Sequence, residues 1–369
     1  MPQKADRLAR LHDLLVNYNV ADHKKLFLPV DNEKFDWFKK FKYLNPTPWA
    51  VTPQSIPYIS ATTLLDSYLC LPRRPDMAFI FLWTAINSSY NDLYLKHSSS
   101  GSTLSDAKGI ENSILLIAKK LHLNIESKDA TGNILKTCTI NEIVIEFCKR
   151  LPDKNLNFLA SYLLKGIAIT LHNESPGSKK IRDIHISSSY KTFLSKRPEI
   201  SNHLRWGYYG QEFFKLCNIT ESADKTSINF GITDTVRSRN LTHATAKELQ
   251  RILIDQPLLP QFDASGAPLP QAKAFAADKD RLGILVSNLL YATRNNNVHG
   301  NVASRVNSIF SNSDTVVSAT WNYLFGYFYL SLLLLCLQHI NQDDLNIHMD
   351  NIEALKLPRR YRAQPLQPA

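Results

Sequence analysis

TVVSATWNYLFGYFYLSLLLLCLQ, residues 315 to 338, contains no charged side chain and is long enough for a helix that crosses a bilayer. Thr320, Asn322 and Ser331 interrupt the apolar run, and the chain has no second segment of this kind. A helix that is apolar on every side is also typical of the centre of a helical protein. We therefore interpret the stretch as a buried core or interface helix, against which other helices pack, and predict no membrane span.

The composition is that of a folded protein, with 44% hydrophobic and 21% charged residues in a chain of 369, enough for one large or two ordinary domains. The net charge of +10 favours an anionic partner, either nucleic acid or an anionic membrane surface. Five scattered cysteines without a CxxC pair argue against zinc knuckles and a disulfide framework. The N-terminus also lacks the apolar core of a signal peptide, so we expect a cytoplasmic protein.

Apolar residues at helical spacing recur along most of the chain. Residues 77–95, MAFIFLWTAINSSYNDLYL, are one example, and LNFLASYLLKGIAITLH, residues 156–172, is another. Strand-like alternation is nearly absent, and INFGITDTV, residues 228–236, is interpreted as a loop. These patterns predict an all-α fold.

RNNNVHG, residues 294–300, is the candidate site. Arg294 follows an apolar helical run, the three asparagines after it favour turns and caps, and Gly300 permits a positive φ after His299. A bend would let both side chains face one cleft. On a straight helix the five-residue offset sets them about 140° apart, so their convergence would need a second chain. The alternative is a helix C-terminus that carries cations because they stabilise its dipole.

LLYATRNNNVHGN, residues 289–301, resembles the signature of the HEPN superfamily (higher eukaryotes and prokaryotes nucleotide-binding). That signature is an arginine, a polar residue and, a few positions later, a histidine, which Arg294, Asn295 and His299 match. Gly300 supplies the glycine that often follows the histidine.

A second resemblance lies upstream, where Trp83, Asn87 and Tyr90 are similar to the W…N..Y helix of many members. Asn87 and Tyr90 are expected to support the catalytic pair, or alternatively to pack in the core with one polar contact. The clear resemblance covers about 76–97 and 280–340. It implies a four-helix up-and-down bundle in a domain from 59 to 345, with a helical insertion at about 98–278, an N-terminal extension over 1–58 and a basic tail over 346–369.

The resemblance implies a metal-independent endoribonuclease that needs no cofactor. Histidine titrates near neutrality and suits proton transfer, while the fixed charge of arginine suits a developing phosphorane. His299 and Arg294 would take these roles. Asn295, the third catalytic residue, would orient either side chain or hydrogen-bond a phosphate oxygen, and the products would be a 2′,3′-cyclic phosphate and a 5′-hydroxyl. The family plan adds a homodimer through the face that carries Arg294, His299 and the apolar final helix.

Such proteins often act as toxins or in anti-phage defence, so an antitoxin or regulatory partner is also expected. The alternative is a catalytically inactive helical module that binds nucleic acid or protein. The histidines show neither HxH nor HExxH spacing, so we expect no metal site.

A rival match lies at RSRNLTHA, where Arg237 and Arg239 precede His243. Thr242 is interpreted as the N-cap of the helix that follows, so we predict a surface turn. Arg237, Arg239 and Arg305 are expected to help bind RNA.

Overall fold

The computed structural model describes residues 40–97, 105–128, 131–274, 278–298 and 313–354, together with residues 12, 15–19 and 21. These residues are predominantly helical, which confirms the all-α prediction at that level. The α-helices are α1 (Thr47–Val51), α2 (Tyr58–Leu69), α3 (Pro75–His97), α4 (Asp106–Ala118), α5 (Ile140–Lys149), α6 (Asp153–Glu174), α7 (Ser188–Lys196), α8 (Pro198–Trp206), α9 (Tyr208–Lys215), α10 (Thr235–Asp255), α11 (Asp278–Gly283), α12 (Tyr291–Val298), α13 (Ser313–Leu337) and α14 (Ile347–Ala354).

Three antiparallel hairpins accompany the helices: β1 (Asn124–Lys128) with β2 (Ile134–Thr139), β3 (Cys217–Glu221) with β4 (Ile228–Ile232), and β5 (Leu258–Leu259) with β6 (Lys273–Ala274). The prediction of a loop over 228–236 is therefore wrong for its first half. Ile228, Phe230 and Ile232 alternate with exposed residues and pack against a hydrophobic cluster. The alternation covers only five residues, so it does not stand out beside helical repeats that extend over several turns.

The chain divides into two compact units. The first unit comprises residues 1–109, 122–143 and 293–358, and the second comprises 110–121, 144–292 and 359–369. The domain boundaries predicted from the sequence divide the chain differently and stay a prediction.

The core of the first unit is α13, which packs along α3, while α3 also packs on α2. Gly326 of α13 brings the two long helices together, because a Cβ there would lie 3.2 Å from atoms of both Leu82 and Phe79. The most apolar 18-residue window of α13 is 94% buried within the protein, although the helix is long and apolar enough to span a membrane. The final apolar helix is thus the predicted core helix. The homodimer that the family plan suggested stays a prediction.

The C-terminal helix α14 lies within the stretch predicted as a basic tail, of which residues 355–369 fall outside the described residues. Met349 and Ile352 are buried, and His348 pairs with Ser331 of α13 at 2.9 Å between Nε2 and Oγ. Hydrophobic and hydrogen-bonding contacts therefore hold residues 347–354 on the first unit.

The second unit is built around α6, which packs against α9 and α10. Its hydrophobic cluster consists of buried residues from these helices, the loop after α6 and the β3–β4 hairpin: Leu164, Ala168, Ile169, Ile181, Phe213, Leu216, Ile219 and Leu241. Leu216 also anchors the start of α10, because its carbonyl oxygen accepts the Thr233 N–H at 3.0 Å. The hairpin is thereby fixed between α9 and α10.

Helix α10 begins earlier than its sequence suggested. The side chain of Asp234 accepts hydrogen bonds from the backbone N–H groups of Val236 and Arg237, which makes Asp234 the N-cap. Thr242 lies inside the helix and donates its hydroxyl to the Ser238 carbonyl at 2.9 Å. The interpretation of Thr242 as the cap and of residues 237–243 as a surface turn is therefore wrong.

Candidate functional site

The candidate motif begins in an irregular helix. Helix α11 passes into a π-helical segment, Ile284–Leu290, and then into α12, and the Tyr291 N–H still bonds the carbonyl five residues back, at Val286. Such wider turns are rare and are frequently found at functional sites. Each one rotates the side chains that follow it about the helix axis. Arg294 follows one helical turn after this segment.

Residues 294–298 are helical, so the described part of the motif contains no bend. The sequence predicted turns or caps at the three asparagines, and this is wrong for Asn295, Asn296 and Asn297. Their weak helix propensity, a few tenths of a kcal/mol each, is outweighed by the preceding apolar turns that pack in the core. His299 and Gly300 lie outside the described residues, as does Arg305.

The side chain of Arg294 is held by two neighbours. Its Nη1 lies 3.8 Å from Oδ2 of Asp106 and donates to Oδ1 of Asn295 at 2.9 Å. The Arg294 side chain is 29% exposed and that of Asp106 34%. A guanidinium has five N–H donors, so its other donors can bind an anion from solvent while these contacts orient it.

Asp106 links Arg294 to the aromatic helix α3. Its second carboxylate oxygen, Oδ1, accepts the Tyr90 hydroxyl at 2.9 Å, and the Tyr90 ring is buried. Asp106 lies in the first turn of α4, where the helix dipole favours a negative charge. The result is a chain of contacts from Tyr90 through Asp106 to Arg294.

Gly109 allows α4 to come this close to α3. A Cβ at this position would lie 2.6 Å from Cδ2 and 2.8 Å from Cε2 of Tyr90, which is closer than two carbons can pack. The glycine therefore lets the first turn of α4 lie against the Tyr90 ring and so places Asp106 next to its hydroxyl.

Asn87, the second residue expected to support the pair, has a different partner. Its Oδ1 accepts a hydrogen bond from Nδ2 of Asn91, one turn later on α3, at 3.4 Å. Asn87 makes no side-chain hydrogen bond to Arg294 or Asp106 among the described residues.

Arg237 and Arg239 lie in the second unit, on exposed positions of α10, where Arg237 is ion-paired with Glu212. His243 is one helical turn beyond Arg239 and is also exposed. These three residues therefore form a helix surface in place of the predicted turn.

Sequence reasoning missed Asp106. It sits at the end of HSSSGSTLSD, which the sequence marks as a polar loop, and no motif connects it to Arg294. The available signal was an acidic residue directly before a helical pattern, which is common at helix N-termini for reasons unrelated to function.

Among the residues that the structure describes, no group of three or more His, Cys, Asp or Glu side chains could hold a metal ion. The site is instead built from one cation, one carboxylate, one phenol and amides. Such a set can bind and orient an anion.

Comparisons with known proteins add no relative. No protein-family model matches the chain, no curated protein matches it, and no solved structure matches its fold.

Proposed function

We propose that the protein is a metal-independent endoribonuclease of the HEPN type, with Arg294 and His299 as its catalytic residues. The observation that carries the proposal is the Tyr90–Asp106–Arg294 chain of contacts. It joins the two parts of the sequence, the aromatic helix and the arginine of RNNNVHG, on which the resemblance rests.

The reaction uses a nucleophile that RNA itself supplies. The 2′-oxygen of a ribose attacks the adjacent phosphorus and loses its proton, the phosphorus–5′-oxygen bond breaks, and the leaving 5′-oxygen takes up a proton. The products are a 2′,3′-cyclic phosphate and a 5′-hydroxyl. A histidine near neutral pH transfers these protons, and this is the role of His299.

Arg294 stabilises the negative charge that grows on the phosphoryl oxygens. A cation that is already oriented does this best, because little reorganisation is then needed during the reaction. The 3.8 Å separation from Asp106 orients the guanidinium without a close hydrogen-bonded ion pair, and Asn295 holds the same Nη1. Asn295 is therefore assigned as a positioning residue for Arg294.

A second copy of the chain completes the site in this proposal. One histidine cannot easily remove and deliver protons on opposite sides of the phosphorus, so two Arg294/His299 pairs in a homodimer would share the work. The biological setting proposed is a cytoplasmic toxin or anti-phage effector that an antitoxin or regulatory partner restrains. This setting follows from the family resemblance alone.

The decisive experiment incubates the purified protein with mixed cellular RNA in EDTA. We expect cleavage that persists in EDTA, leaves cyclic phosphate ends, and is lost in His299→Ala and in Arg294→Ala. Matched controls are His97→Ala and Arg73→Ala, which remove exposed side chains of the same types from the first unit.

Circular dichroism of every variant separates lost chemistry from lost folding. Equal cleavage by the wild type and His299→Ala would overturn the catalytic assignment. RNA binding without cleavage by the wild type would instead favour the inactive binding module.

A further inference from the structure

The positive charge of the protein is concentrated in one of its units. The first unit contains 18 lysines and arginines and 18 aspartates and glutamates, so its net charge is zero. In the second unit, residues 110–121 and 144–292 contain 22 basic and 15 acidic residues, and the last eleven residues add three arginines. Long-range attraction of a polyanion is therefore a property of the second unit, whereas the candidate motif from Arg294 onward belongs to the first.

The β3–β4 hairpin gives the second unit a polar, open face. Ile219 and Phe230 point into the hydrophobic cluster, and the alternate positions point outward. The outward side chains are Asn218, Thr220 and Asn229, all exposed. They make no side-chain hydrogen bond to any described residue, so amide and hydroxyl groups are available to a ligand.

Three cations lie on the elements that pack against the hairpin or adjoin it along the chain. The Nζ of Lys165, on α6, is 5.8 Å from the centre of the Phe230 ring. Arg239 is on the second turn of α10, which directly follows β4, and Lys180 precedes Ile181 of the same hydrophobic cluster. All three are exposed and form no ion pair within the described part of the chain.

Two arginines on these elements are already neutralised by carboxylates. Arg182 is paired with Glu221 at 2.9 Å, and Arg237 shares Glu212 with Lys215. We name the ribbon surface as Asn218, Thr220 and Asn229 together with Lys165, Lys180 and Arg239.

The second unit also carries an exposed aromatic side chain. Tyr208, at the start of α9, is 65% exposed and lies one helical turn before Glu212, the partner of Arg237. Proteins that bind single strands combine a basic track for the backbone with aromatic rings on which bases stack. Tyr208 is an exposed ring of this kind on the second unit.

We propose that the ribbon surface of the second unit binds the phosphodiester backbone of single-stranded RNA. Lys165, Lys180 and Arg239 contact phosphates, and the amides and hydroxyl contact phosphate or ribose oxygens. That the polymer is RNA rests on the proposed ribonuclease function. The binding itself is measured without cleavage, so either claim can fail alone.

The test measures binding of a fluorescent single-stranded RNA of about 12 nucleotides by anisotropy, in EDTA and at several salt concentrations. All proteins carry His299→Ala so that the RNA stays intact. One variant adds K165Q, K180Q and R239Q. The matched control adds K119Q, K273Q and K279Q, which removes the same charge from exposed, unpaired lysines of the second unit.

We expect the K165Q/K180Q/R239Q variant to bind RNA about tenfold or more weakly than the parent. The slope of log K against log salt should also become shallower by about 2, because each of three lost phosphate contacts contributes about 0.7 for single strands. The control variant should differ little from the parent. Equal weakening of both variants would show that only net charge matters and would overturn the ribbon surface, as would no weakening of either. Equal affinity for DNA of the same sequence would overturn the assignment to RNA, and displacement by polyglutamate at matched charge would assign the surface to an acidic protein instead.

Discussion

The carboxylate of Asp106 and the guanidinium of Arg294 lie 3.8 Å apart, although about half of the chain separates the two residues in sequence. The same carboxylate accepts the Tyr90 hydroxyl. The arginine of the candidate motif is thus oriented by a residue outside the motif, and this relationship leads to the first three predictions.

Replacement of Asp106 by alanine should lower RNA cleavage about tenfold through kcat, with a smaller change in KM. The reason is that Arg294 loses an orienting partner and samples more rotamers, while its charge stays available to the substrate. Single-turnover cleavage at saturating and limiting RNA separates the two constants. Asp106→Glu should restore part of the rate. Asp66→Ala, which removes an exposed carboxylate from the same unit, should leave it unchanged. A rise in KM with kcat unchanged would show that Asp106 does not position Arg294.

Tyr90→Phe should cost about 1 kcal/mol of unfolding free energy, because it removes one hydrogen bond to a charged acceptor and keeps the buried ring. Urea unfolding followed by circular dichroism measures this. In Tyr43→Phe the lost hydroxyl belongs to a half-exposed ring and bonds no described residue, so stability should be unchanged. If the two variants behave alike, the Tyr90–Asp106 bond contributes nothing measurable.

Gly109→Ala should destabilise the protein by about 1–3 kcal/mol, since the new methyl group would overlap the Tyr90 ring. The sign of this effect is informative. At an unconstrained position within a helix such as α4, alanine is more stable than glycine by about 1 kcal/mol. A rise in the urea midpoint would therefore refute the close contact between α4 and α3.

His348 should make stability depend on pH. Burial lowers the pKa of its imidazole to about 3, so the folded protein keeps it neutral and the unfolded chain protonates it near 6.5. Between these values the unfolded state binds more protons, so stability is highest above pH 6.5 and is lost as pH falls towards 3. The loss is on the order of several kcal/mol.

The comparison is with His348→Leu, measured by urea unfolding at pH 7.5, 6 and 5. The variant lacks the titrating group, so its stability should fall less over this range than that of the wild type. Parallel curves for the two proteins would show that His348 does not control the acid response.

Local periodicity was enough to place the long helices. The apolar spacing through Phe79, Trp83 and Ile86 predicts α3, and the uncharged run from 315 predicts the buried α13, because each signal is repeated over several turns of one element. The two helices also pack on each other in the first unit, which buries their apolar faces. Whether they form a HEPN bundle stays a proposal.

Short-range signals failed where a tertiary contact outweighed them. Asn295 to Asn297 favour turns, yet they continue a helix whose preceding turns are buried, and Thr242 resembles a cap but follows the true cap, Asp234. The β3–β4 hairpin escaped notice because its alternation covers five residues per strand and is stabilised by packing on α6. Propensity differences of tenths of a kcal/mol cannot compete with burial of whole side chains.

The sequence by itself determined the helical class, the identity of the core helix and the residue types of the candidate motif, since these depend on composition, period and adjacency along the chain. Only the tertiary structure decided that Asp106 and Tyr90 orient Arg294, that the hairpin exposes Asn218, Thr220 and Asn229, and that the excess positive charge belongs to one unit. The first and the last of these are relations between residues far apart in sequence. No local pattern encodes them, because the energy that brings such residues together comes from packing of the helices between them.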